Sequence, residues 1–509
     1  MNKFYKLFLL LLVAGIVTYS CDGIEDSLID DQLEENPLPT PAEYSSGSAD
    51  FSNFIAIGNS LMAGYADGAL YTSGQNNSIP AMMSAQLATT VDGGIDFTQP
   101  SINSANGFNT SVTNPANGIV FGRFKLDTDI PGPSPTINGD PIGAYTGASV
   151  KNFGVPGIVV GQLLTPATGG PNDPGNPAFN PFYARFAANP GTSTIIGEAV
   201  AAQPTFFSLW IGTNDVLGYA AGGASNPGIL TSPGDFDTQF NGVINTMMGN
   251  TSANGVVANI PSILGLAYFR AVPYNPIPLD AQTAAALNQG YTDYNNGVQQ
   301  AANLNAITQA EADRRKIVFA AGANAFVMED ETLTDLSGFG LPPLRQAEAT
   351  DLTVLSLGAI LGVDAFGEGA YGLQDAVEDR YVLIPSEQIE IETNRAQFNA
   401  TIASAVAANS SRLVLYDTNA ADGAFYDLFG LSDGVPGITI DGVDLTPDFA
   451  PSGVLSTDGV HPNPRGNALI ANGMLEVIED GFGATLPRVN VLSKASVTLC
   501  GTGDCASEQ

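Results

Sequence analysis

Two runs of the chain constrain its fold more than any others. Phe54-Ile55-Ala56-Ile57 and Thr205-Phe206-Phe207-Ser208-Leu209-Trp210-Ile211 are short and almost wholly apolar, and each runs into a glycine followed by polar residues. A strand with one wet face alternates, whereas a strand covered on both faces reads as a continuous apolar run, as in parallel sheets. Val256–Pro261, Lys316–Ala320 and Arg412–Asp417 extend the series. Helices are expected near Ala81–Ala88, over Ala301–Arg315, over Glu387–Ala408 with Ile391, Phe398, Ile402 and Ala405 near one face, and over Asn467–Ile478. Strands alternating with helices predict an α/β fold whose parallel sheet is covered on both faces.

The length of 509 residues would by itself suggest about three domains. The strand and helix signals instead fit one domain over 51–480, with loop-rich insertions near 71–150 and 265–385. The 57 glycines and 33 prolines put much of the chain in those loops. Within the second insertion, the apolar segment Leu352–Val363 reads as buried core or as part of a cap over a binding cleft. With 17 basic and 51 acidic residues the net charge is −34. Such a surface repels phosphate backbones, which argues against nucleic acid as a partner. One histidine, three cysteines and no EF-hand loop leave little from which to build a metal site, and none is expected.

Residues 1–21 read as an export signal. Lys3 and Lys6 precede an apolar run from Leu7 to Val17, too short to span a bilayer, which ends at Thr18-Tyr19-Ser20-Cys21. A small residue before a cysteine at this place resembles a bacterial lipoprotein signal. The resemblance implies cleavage before Cys21, lipid attachment to its sulfur, and a chain held at a bacterial membrane, the outer one being expected. Thr18 and Tyr19 depart from the usual residues there, and a plain secretory signal is the alternative. Residues 22–50 are acidic and proline-containing and read as a flexible tether. Residues 481–509 read as a tail in which Cys500 and Cys505 form a small disulfide loop or remain two free thiols.

Four stretches carry chemistry-bearing residues. Ser60, after Gly58-Asn59, is placed either as a hydroxyl in the crevice at a strand's carboxyl end or as the cap of the next helix. Asn152-Phe153-Gly154-Val155-Pro156-Gly157-Ile158 reads as a turn, or as a place where a free amide meets developing negative charge. Asn214, in Gly212-Thr213-Asn214-Asp215, can donate to an oxyanion or cap a turn. Leu455-Ser456-Thr457-Asp458-Gly459-Val460-His461-Pro462-Asn463 holds the only histidine of the chain, three residues after a carboxylate. Histidine is the side chain that titrates near neutrality, so a neutral-pH base of that type must be His461.

In this order the four blocks resemble the SGNH (GDSL) hydrolase family. The resemblance implies a three-layer α/β/α sandwich, flavodoxin-like, on a parallel sheet of about five strands, and an activity on ester bonds. It implies Ser60 as nucleophile, His461 as base and Asp458 as its partner. It also implies an oxyanion hole from the Ser60 and Gly157 amides and the Asn214 side chain, with no cofactor. Asn59 departs from the family's aspartate before the serine. The spacings, 97 residues from Ser60 to Gly157 and 244 from Asn214 to Asp458, exceed what the family core needs. The substrates in view are a lipid acyl ester, an acetyl ester or an O-acetylated carbohydrate, with a slight lean to acyl chains from Leu352–Val363. The alternative outside catalysis is a ligand-binding surface lipoprotein that keeps the fold.

Overall fold

Five strands form one sheet: β1 (Phe54–Gly58), β2 (Asn152–Gly154), β3 (Phe206–Trp210), β4 (Asn254–Ala258) and β5 (Leu413–Tyr416). All pairings are parallel, in the order β2-β1-β3-β4-β5. This is one of the two common doubly wound orders, with its switch point between β1 and β3. The computed structural model describes residues 43–506 apart from 128–131, 148, 422, 432–433 and 450–451. Cys21 and the expected signal lie outside the described residues, as does most of the expected tether.

The helices that bear on the sheet are α1 (Ser60–Ala63), α2 (Ile79–Leu87), α3 (Ile195–Ala201), α4 (Asn214–Ala221), α5 (Pro233–Asn250), α6 (Pro385–Ala408) and α7 (Pro464–Phe482). Side chains alternate along each strand, so one run serves two cores. Ile55, Ile57, Phe207, Leu209 and Val257 meet α3, α5 and α6 through Ile195, Phe236, Phe240, Phe398 and Ile402. Phe54, Ala56, Phe206, Trp210 and Val256 meet α2 and α7 through Met82, Met83, Ala471, Met474 and Leu475. Burial on both faces is what makes β1 apolar throughout and β3 apolar at all but Ser208, at about 1.5–3 kcal/mol for each large side chain. Phe236 of α5 stacks on Phe398 of α6 with ring centroids 4.2 Å apart.

Several boundaries differ from the sequence reading. Ser45 to Asp50 belong to the folded body and not to a tether: Ser45 pairs with Thr485, the Ser48 amide donates to the Phe482 carbonyl, and Ala49 is buried. The expected tail is likewise built in. Leu486, Val489 and Val491 join the α2/α7 core. Cys500 and Cys505 are bonded to each other, Cα atoms 5.9 Å apart; the Cys500 amide donates to the Leu126 carbonyl in a hairpin formed by Phe124–Asp127 and Gly132–Pro135, and the Asp504 carbonyl accepts from the Ile137 amide just beyond it. α2 packs on the sheet, so the first insertion starts after it. Asn152–Gly154 is the edge strand β2, and the expected turn follows at Pro156-Gly157, where Gly157 has φ +79°.

In the second insertion the helix expected over Ala301–Arg315 is two, Thr292–Asn303 and Gln309–Arg315, broken where Asn305 takes a positive φ of 58°. Lys316–Ala320 is not a strand. Its backbone is satisfied by side-chain amides: Asn295 both donates to and accepts from Ile317, and Asn288 does the same for Phe319. Two asparagines seven residues apart, on Ala281–Gly290 and Thr292–Asn303, thus replace a neighbouring strand. The β-branched run predicts extended backbone but not where its hydrogen bonds go.

Candidate active site

β1 delivers Ser60 to the carboxyl end of the sheet. Gly58 is required there, because a Cβ would stand 2.1 Å from the Trp210 carbonyl oxygen of β3. Asn59 then caps α1, its Oδ1 accepting from the Leu61 amide at 3.0 Å. An amide oxygen caps as well as a carboxylate, which accounts for the residue before Ser60. Ser60 itself is the first helical residue rather than the cap.

His461 arrives from the other side of the crevice on a loop, not on a strand. The loop is tied by bonds from the Ser456 amide to the His461 carbonyl (2.7 Å) and from the Asn463 amide to the Val454 carbonyl (2.8 Å). Asn463 caps α7, accepting from the Arg465 and Gly466 amides, while its own amide donates to the Gly453 and Leu455 carbonyls. Gly466 allows this approach: a Cβ there would lie 2.4 Å from the Val454 carbonyl oxygen.

The two halves meet with Ser60 Oγ 2.8 Å from His461 Nε2, and His461 Nδ1 2.9 Å from Asp458 Oδ2. Both distances are within range for proton transfer and for fixing the tautomer. Asp458 Oδ1 accepts from the Val460 and His461 amides, each at 2.9 Å, and Oδ2 from the Gly68 amide at 3.1 Å. Burial acts to raise the Asp458 carboxyl, but the adjoining imidazole and these amides outweigh it and bring it down to about 2. It is therefore an anion at any working pH. The Tyr65 ring lies over His461, centroids 4.9 Å apart.

Asn214 opens α4 at the end of β3. Its Nδ2 donates to the Ile158 carbonyl at 2.9 Å, which leaves the second amide hydrogen for another acceptor. Gly157 precedes Ile158 and is exposed, and a Cβ there would meet only Asn180 Nδ2, at 3.9 Å. Among the described residues no protein group accepts from the Ser60 or the Gly157 amide. Asp215 ties this loop down: its Oδ2 accepts from the Val160 amide at 3.0 Å and its Oδ1 from Thr231 at 2.8 Å. Burial pushes the Asp215 carboxyl up to about 7 against those bonds.

Ser60, Asn214 and His461 line a cavity of about 820 Å³, open mouth included. The rest of its wall is almost wholly apolar, with Leu217, Ile263, Leu266, Phe425, Leu428 and Phe429 prominent. It lies beyond the carboxyl ends of β1, β3, β4 and β5, where open α/β sheets bind ligands. Leu352–Val363, offered above as core or cap, is not part of this wall: Val354 and Leu357 are buried elsewhere and Val363 is exposed.

Asp67, Gly68, Asp215 and Asn463 were not singled out from the sequence. Asp67-Gly68 did carry a signal, being the dipeptide of a tight hairpin turn. Among the described residues, one group of carboxylates is close enough to share a cation: Glu331, Asp379 and Glu387, with oxygens within 4.8 Å of one another. None of the three lines the cavity. No helix among the described residues is long and apolar enough to cross a membrane. No protein-family model, no curated protein and no solved structure matches the chain.

Proposed function

We propose that the chain is a serine hydrolase of carboxylic esters, working through an acyl-enzyme. The observation that carries this reading is the relay from Ser60 Oγ through His461 to an ionised Asp458, built on the only histidine present. The four-block resemblance to SGNH hydrolases supports it. A serine hydroxyl becomes a nucleophile when a neighbouring base removes its proton. His461 Nε2 takes that proton as Oγ attacks the ester carbonyl. The tetrahedral oxyanion is met by the Asn214 amide and by the Ser60 and Gly157 N–H groups. The imidazolium then protonates the departing alcohol as the C–O bond breaks. A water, deprotonated by the same ring, attacks the acyl-enzyme and returns Ser60 to its hydroxyl.

The apolar wall of the cavity favours an ester with an apolar acyl or alkoxy chain over an O-acetylated carbohydrate, because sugar hydroxyls buried there would lose water without gaining partners. Export and lipidation at Cys21, with anchoring to a bacterial outer membrane, complete the reading. The acidic surface supports a small ester or lipid substrate over any polyanion.

The test is hydrolysis of nitrophenyl esters from acetate to long acyl chains by the purified full chain, beside Ser60→Ala and His461→Ala. Each variant is expected to lose at least ~10⁴-fold in kcat. The chain-length optimum is expected above acetate. Equal turnover by wild type and both variants, with Ser60 unlabelled by a fluorophosphonate, would sink the reading and leave a ligand-binding role.

A further inference from the structure

Asp458 and His461 ride on a loop, so their placement depends on what holds that loop from outside. The bonds into it come chiefly from one two-residue turn. Tyr65–Ala66 and Ala69–Leu70 form a minimal hairpin after α1, with Asp67 (φ +55°) and Gly68 (φ +74°) at its tip. Positive φ at both positions is the type I′ geometry that Asp-Gly favours. The Asp67 amide donates to Ser456 Oγ at 3.1 Å, and the Gly68 amide donates to Asp458 Oδ2, the oxygen that faces the histidine. The Asp67 carboxylate accepts from the Thr457 amide (3.0 Å) and hydroxyl (2.8 Å) through Oδ1, and from the Tyr71 hydroxyl (2.8 Å) through Oδ2.

A loop cap of this shape could be neutral. Here it is a second acid beside Asp458, in a partly buried position where desolvation and the Asp458 charge both raise its carboxyl and the Thr457 and Tyr71 bonds oppose them. Among the described residues, the cation paired with it comes from the first insertion. Arg123 Nη1 lies 3.8 Å from Asp67 Oδ2, and its guanidinium stands over the Tyr71 ring at 4.3 Å. The same insertion supplies Thr110, whose hydroxyl meets that of Tyr65, the ring over His461. An otherwise loop-dominated insertion thus delivers its polar groups to the back of the catalytic couple.

We propose that Asp67 is a positioning residue: acting through Thr457 and through the Gly68 amide, it sets where Asp458 holds the His461 ring. Its kinetic consequence rests on the ester-hydrolase reading; its structural consequence does not, because His461 is the only histidine and can be observed directly.

The experiment is ¹⁵N-histidine NMR of the full chain, wild type and Asp67→Gly, with kinetics on the best nitrophenyl ester. Glycine keeps the positive-φ turn and removes the oxygen that accepts from the Thr457 amide and hydroxyl. Wild type is expected to show one downfield Nδ1–H resonance from the Asp458 bond. Asp67→Gly is expected to lose it or broaden it by exchange, and to lower kcat roughly 10–100-fold with KM unchanged within about twofold. In an Asp458→Asn background the same substitution is expected to cost little further, since its route is gone. A resonance unchanged in Asp67→Gly overturns the proposal, as does an equal kcat loss in both backgrounds. Should Asp67→Gly not fold, Thr457→Val removes only the hydroxyl donor to Oδ1. It must then broaden the resonance in the same direction, and failure to do so overturns the proposal equally. A wild type with the resonance but no turnover on any ester sinks the hydrolase reading alone, and the positioning role is then decided by the resonance.

Discussion

The loop of Asp458 and His461 and the acidic corner around Glu387 each bury a carboxylate, and they drive it in opposite directions. Asp458 is brought down to about 2, while Glu387 is pushed up to about 8 and its neighbour Asp379 to about 6. Desolvation is the first cause in all three and always favours the neutral acid. What differs is the company. Asp458 has an imidazole and three backbone amides. Glu387 has one amide, from Ile384, and faces Glu331, Asp379 and Asp330. Asp215, with a hydroxyl and an amide but no charged neighbour, is pushed up to about 7 by burial alone. Burial therefore raises a carboxyl even without acidic neighbours, and only the imidazole and amides around Asp458 reverse it.

The sharpest way to break the comparison is to remove the charge where it is held most firmly. Asp458→Asn keeps the size but offers His461 Nδ1 an amide that does not fix the needed tautomer. A kcat loss of about 10⁴-fold with little change in fold is expected, read from ester hydrolysis and circular dichroism. A loss under about tenfold would mean that His461 is oriented without the anion, and the relay would not be the working device. The next effect concerns the opposite wall of the crevice. Asn214→Ala removes a donor but also the bond to the Ile158 carbonyl that joins β3's end to the Gly157 turn. A kcat loss of about 10²–10³-fold is expected, with KM nearly unchanged. A change confined to KM would place Asn214 in ground-state binding instead.

These residues differ in how they announced themselves. Ser60 and Asn214 follow strands that are apolar but for the buried Ser208, and strand ends point to the crevice, so sequence pattern and position agreed. His461 was legible as the only histidine. The sheet was legible for the same reason that it is stable, since strands covered on both faces are largely apolar. β2 was not, because Asn152-Phe153-Gly154 is three residues long and its polar first residue is satisfied by long-range bonds to the Met62 carbonyl and Gln99. Asp67 was hidden more deeply. Its partners Ser456 and Thr457 lie about 390 residues away, and only folding brings them together. The extended run 316–320 misled in the opposite sense: its apolar content is that of a strand, but asparagine side chains took the place of the partner.

The smallest effect tests the other end of the comparison. A carboxyl raised in the folded chain keeps a proton that the unfolded chain has already released. For Glu387 that window runs from its ordinary value of 4.5 to about 8. Its contribution to stability is present in full below the lower limit and is lost as pH rises through the upper one. Asp458 has the reverse sign: its contribution is present above the ordinary 3.8 and is lost as pH falls through about 2. Glu387→Gln keeps a carbonyl oxygen for the Ile384 amide that Glu387 accepts in the first turn of α6, and it carries no proton to lose. The variant is expected to gain on the order of 1 kcal/mol over wild type at pH 8, after discounting for solvent screening, and nothing at pH 4. Thermal unfolding across pH 4–8 reads this as a shallower decline for the variant. Parallel declines would mean that a cation or solvent neutralises the corner, and the contrast with Asp458 would then rest on bound charge rather than on a retained proton.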